Sequence, residues 1–108
     1  MRVIFRMKYQ VVVQFDHESL SDFDDLIRME NHLLHRLGNL AVVDGHDFGS
    51  REANIFLDSE HPQLLVRALL NLCTEGIIDD SLRVGCREEG DDSYNLLHPV
   101  DGGKFIVK

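Results

Sequence analysis

The residues best suited to chemistry crowd into one short stretch: Asp44, His46 and Asp47, with Ser50 and Glu52 close behind. Carboxylate oxygens and an imidazole at such spacing can hold a divalent ion or work as an acid/base pair. The order Asp-Gly-His-Asp lacks the regular ligand spacing of a calcium loop, and no CxxC or HExxH pattern anchors a zinc site. We therefore expect no bound metal and no cofactor, with Asp44-Gly45 making a turn and the other polar groups facing water. Gly45 and Gly49-Ser50 offer a backbone nest for phosphate, but a strand follows them where a phosphate loop would open a helix. Walker A and dinucleotide fingerprints are absent.

Other candidates are thinner. His32 and His35 stand three apart on one helix and make half a metal site at most, while His17, His61 and His98 read as loop residues. Cys73 falls near a helix C-terminus, where the dipole disfavours a thiolate, and Cys86 falls on the inward face of a strand. Both read as small core residues. No catalytic residue is assigned, and a non-enzymatic role is expected.

The elements that position these residues follow from periodicity. Residues 8–16 alternate, with Tyr9, Val11, Val13 and Phe15 on one face and Gln10, Val12, Gln14 and Asp16 on the other. A helix comes next, capped by Ser21 and with Asp22, Asp24 and Asp25 at its positive end. Its apolar stripe is Phe23, Leu26, Ile27, Leu33, Leu34 and Leu37, with Glu30 at an edge, and Gly38 stops it. A strand at 39–43 leads to a turn beginning at Asp44, and 52–57 returns with Asn54 and Phe56 opposite Ala53, Ile55 and Leu57. The 44–52 connection is expected to project as a flexible hairpin loop. Ser59 and Pro62 open a second helix, with Leu65, Leu69, Leu72 and Cys73 inward and Gly76 as its stop. A strand at 82–87 follows, then an acidic turn, then a strand at 94–97 ended by Pro99.

The sum is a single α+β domain over 1–108: a ferredoxin-like β-α-β-β-α-β sandwich with an additional C-terminal strand. Two helices cover one face of an antiparallel sheet, and the first and third strands lie side by side. Residues 1–7 read as a loose N-terminal arm, and 100–108 as a loose tail or an edge strand. Phe105-Ile106-Val107 can alternatively lie across the open sheet face. Residues 44–99 resemble small uncharacterised bacterial proteins of ferredoxin-like fold. The resemblance is carried by the turn Asp44-Gly45 before Gly49-Ser50, the strand Asn54-Ile55-Phe56-Leu57, and the closing strand that ends at Pro99. It implies the fold and no activity.

Charge narrows the partners. A formal net charge of −8 and scattered Arg2, Arg6, Lys8, Arg83 and Arg87 oppose nucleic-acid binding, which needs clustered cations. No apolar run approaches the ~20 residues of a membrane helix. With no recognisable export signal and two cysteines, a cytoplasmic protein with free thiols is expected. The reading that fits is a non-catalytic binding or assembly module. It would act through the hairpin residues Asp44, His46, Asp47, Ser50, Glu52, Asn54 and Phe56 and through the open face. Gln10, Val12, Gln14, Asn54 and Phe56 form the expected interface, most simply that of a homodimer. One alternative is a small enzyme or metal-binding protein using Asp44, His46, Asp47 and Glu52. Another is an acidic protein that neutralises a basic partner.

Overall fold

The alternation read from residues 8–16 becomes the central strand of a five-stranded sheet. The computed structural model describes residues 8–16, 23–49, 52–78, 81–100, 103 and 105–107. Expectations for the 1–7 arm, His17, the Ser21 cap, Asp22, Ser50, Asp79-Asp80 and the tail positions 101, 102, 104 and 108 lie outside those residues. In chain order the elements are β1 (Tyr9–Asp16), α1 (Phe23–Arg36), a 3-10 turn (Gly38–Leu40), β2 (Val42–Phe48), β3 (Glu52–Ser59), α2 (Pro62–Thr74), β4 (Arg83–Glu88) and β5 (Asn95–His98). The sheet order is β2-β3-β1-β4-β5, and every neighbouring pair is antiparallel. β1 pairs with β3 from Tyr9↔Ser59 to Asp16↔Glu52, and with β4 from Tyr9↔Glu88 to Gln14↔Arg83.

Both helices pack with one face of this sheet. Val11, Val13 and Phe15 from β1 share a buried cluster with Leu26, Met29 and Leu33 of α1, Leu37 just beyond its end, and Leu65, Val66, Leu69 and Leu72 of α2. The α1 stripe differs from the expected one. Steps of three, four and four place Leu26, Met29, Leu33 and Leu37 in line, whereas Leu34 is rotated about 100° from Leu33 and is 53% exposed. Gly38 and Gly76 end the helices as expected, both at positive φ. After α2 the Gly76 N–H donates to Cys73 O and the Ile77 N–H to Leu72 O, the paired bonds of a left-handed helix stop.

The entry to α2 is built differently from the expectation. Ser59 closes β3 and is buried; its hydroxyl donates to Leu40 O at 2.6 Å and accepts the His61 N–H at 3.0 Å. His61 holds the cap position and Pro62 the first turn. Ser59 thus ties three segments together and does not cap the helix itself.

The larger correction concerns residues 44–52. Strand β2 continues to Phe48, and Asp44-Gly45 forms a bulge, where the register against β3 shifts between Val43 and Gly45. An extra residue in one strand is absorbed there without ending the pairing. Pairing runs on to Phe48↔Ala53, and beyond it the Gly49 N–H donates to Glu52 O at 2.9 Å. Residues 44–48 of the expected projecting loop are therefore paired strand. Leu69→Ala should destabilise the protein by roughly 2–5 kcal/mol in denaturant titration, because Leu69 has no exposed surface. Leu34→Ala should cost less than about 0.5 kcal/mol; equal losses at the two positions would mean that α1 is rotated from this placement.

Candidate functional site

The face turned away from the helices carries Gln10, Val12 and Gln14 of β1. The register sets them among Asn54 and Phe56 of β3 and Arg83, Gly85 and Arg87 of β4. Two polar groups of side chains organise it. At one end the Gln14 Nε2 amide lies 2.7 Å from Glu52 Oε2, 3.1 Å from Asn54 Oδ1 and 3.0 Å from Ile106 O. Two amide hydrogens serve three acceptors, so one hydrogen is shared. Asn54 Nδ2 donates to Glu52 Oε2 at 3.0 Å. Asn54 has no exposed surface, and an amide buried that far is tolerable because it is bonded.

At the other end Gln10 Oε1 accepts from Arg87 Nε at 3.0 Å and from the Tyr94 hydroxyl. The Arg87 guanidinium stands 5.0 Å over the Tyr94 ring. Burial pushes the Tyr94 hydroxyl pKa above its usual value, and Arg87 opposes that shift.

Between the two groups lies the C-terminal segment. Phe105 is only 5% exposed, and its ring sits directly on Gly85, the residue paired with Val12. A Cβ at position 85 would stand 2.3 Å from the ring, closer than carbon atoms can approach. The backbone of Phe105 bridges to Tyr94, and the two rings are tilted 60° with centroids 5.7 Å apart. Of the weighed alternatives for the tail, the one across the open face is the one found. Val12 and Asn54, expected as contact residues of a homodimer, have no exposed surface. The chain's own strap closes over this part of the face, and hydrogen bonding satisfies Asn54. Gln10, Gln14 and Phe56 remain half-buried.

The expected acid/base constellation does not assemble. The bulge at Asp44 reverses the alternation of β2, so His46 pairs with Ile55 on the helix side and its Nδ1 lies 2.8 Å from Glu30 Oε2 of α1. Asp47 pairs with Asn54, on the opposite face with Glu52, and Asp44 is exposed at the bulge. Ser50 lies outside the described residues. Among those residues no group of three or more His, Cys, Asp or Glu is arranged to hold a metal ion.

A second concavity escaped the sequence reading. A cleft of about 500 Å³ opens between the start of α2 and the β4–β5 rim, lined by Tyr9, His61, Leu64, Cys86, Asn95 and Leu97 among others. Its size is that of a small-molecule site. Several of its lining residues, such as Tyr9, His61 and Cys86, were legible singly, but nothing in the sequence announced that they would meet in one cleft. Neither Cys73 nor Cys86 is in a disulfide. Burial, with the Glu88 carboxylate adding to it, pushes the Cys86 thiol up to about 11, which disfavours the thiolate at neutral pH. Among the described residues no helix is long and apolar enough to cross a membrane. No family model, curated protein or solved structure matches the chain.

Two outcomes follow from this geometry. Gly85→Ala should cost about 1–3 kcal/mol in denaturant titration, because the ring of Phe105 must move; no loss would place the ring elsewhere. The Cys86 thiol ionises near 9.0 when unperturbed and near 11 when folded. Between those values the unfolded chain gives up a proton that the folded chain keeps, so stability falls as pH rises through that window. Denaturation of the native chain and of Cys86→Ala at pH 8 and pH 11 should show a smaller fall for the variant.

Proposed function

We propose that this chain is a non-catalytic binding module of ferredoxin-like α+β fold, acting through the sheet face opposite the helices and the adjoining β2–β3 hairpin. The fold part of the reading is supported by the β-α-β-β-α-β element order and by β1 lying between β3 and β4, with β5 added outside β4. One observation carries the functional part. The face holds an extended piece of polypeptide, residues 105–107, by a recess for one ring and a side-chain donor for one backbone carbonyl. A pocket for a side chain and a donor for a backbone carbonyl are means by which a protein surface holds an extended segment.

The enzyme alternative loses its support because His46 is on the opposite side of the sheet from Asp47 and Glu52. Assembly of two copies through this face would have to use Phe56, Gln10 and Gln14, since Val12 and Asn54 are already covered. The net charge of −8 favours a basic partner. A second reading, a small-molecule site, rests on the cleft beside α2.

Selection of a displayed random heptapeptide library on the immobilised full chain tests the proposal. Enriched peptides should shift amide resonances of β1, β3 and β4, and Phe56→Glu should weaken them at least about tenfold, or ~1.4 kcal/mol. Shifts confined to the cleft beside α2, or no enrichment at all, would sink it.

A further inference from the structure

The recess under Phe105 exists because residue 85 is glycine, and its fit to an aromatic ring is specific. The Tyr94 ring forms one wall, Val12 lies across from Gly85, and the Gln14 amide waits one residue further along for a carbonyl. The hold of the strap on this recess is shallow. Phe105 is its one buried side chain; Ile106 is 59% exposed and Val107 half-buried. Gly102 and Gly103 precede it, and Gly103 sits at positive φ, where few other residues turn the chain without strain. In the sequence Lys104 and Lys108 bracket Phe105-Ile106-Val107, a basic segment in a chain whose net charge is −8, which is the charge relation a basic partner segment would reproduce.

We propose that this recess is a docking slot for an extended, basic segment of a partner protein that presents an aromatic residue followed by a branched aliphatic one, and that residues 105–107 occupy the slot until such a segment displaces them. The inference rests on the binding reading above and adds the partner's chemistry. A competitor has to match one ring, one bridge at Tyr94 and one carbonyl at Gln14. The strap taxes binding by the fraction of time the slot is open, so a slot open ~1–10% of the time binds ~10–100-fold more weakly than a vacated one.

The synthetic peptide GGKFIVK, titrated into the full-length native chain and into full-length Phe105→Ala, provides the test. It should bind Phe105→Ala at least about tenfold more tightly than the native chain and raise its Tm. The same peptide with alanine in place of phenylalanine should not bind, and Gly85→Leu combined with Phe105→Ala should abolish binding. Phe105→Leu, which keeps an apolar anchor, is titrated in parallel, and amide spectra establish which variants are folded. Equal affinity for native and strap-released chains, or indifference to the aromatic residue of the peptide, would overturn the slot. If peptides then still shift Phe56 and its β3 neighbours, the broader binding reading stands without it. A native dimer that Phe105→Ala dissolves would overturn the assignment to a separate partner, because the occupant would then be the tail of a second copy.

Discussion

The pairing of β1 on both sides is the constraint on which the rest of the molecule depends. Val11, Val12 and Val13 are consecutive and none has exposed surface, so this strand is covered from both faces. A slip of one residue against β3 or β4 would exchange the two faces. The amides of Gln10 and Gln14 would then enter the helix-side core without their partners, at a cost of several kcal/mol in total. The same register sets Gly85 beside Val12, which leaves room for the Phe105 ring, and sets Gln14 beside Asn54. One alignment therefore positions the core, the recess and the polar network together.

Most of the elements were legible in the sequence because they obey simple periods. Alternation marked β1, β3 and β4, and glycines at positive φ marked both helix ends. What escaped depended on long-range geometry. The bulge at Asp44 reverses β2 for reasons that lie in its pairing with β3, and it carries His46 to Glu30 on the helix side. Asp44-Gly45 has the composition of a turn, and a glycine beside an aspartate fits a bulge equally well. Leu34 was misplaced because a three-and-four count from Leu26 admits two stripes, and Met29 decides between them only once the sheet is present.

The polar side chains of the second face depend on equally distant geometry. Alternation assigns Gln14 and Asn54 to the side away from the core, which reads as a contact face. Part of their surroundings comes from far along the chain, since Ile106, 92 residues from Gln14, supplies it a carbonyl across the face. The network has little freedom left. Glu52 Oε2 receives both the Gln14 and the Asn54 amides, so each side chain is oriented by the other two.

The two faces also differ in how much they contribute to holding the fold. The helix-side cluster draws on α1, α2 and the inward residues of β1, β3 and β4, whereas the strap buries a single ring. Burial of one phenylalanine side chain is worth about 1.5–3 kcal/mol, against roughly 5–15 kcal/mol for unfolding a domain of ordinary stability. Opening of the strap is therefore a local event, well below global unfolding. A difference of that size makes the closed form more populated by a factor of about 10 to 100. The sheet and both helices stay in place while it opens, because neither depends on Phe105. Val12, paired with Gly85 beside the Phe105 ring, loses cover when the strap leaves, so an open slot regains stability when another apolar group covers it.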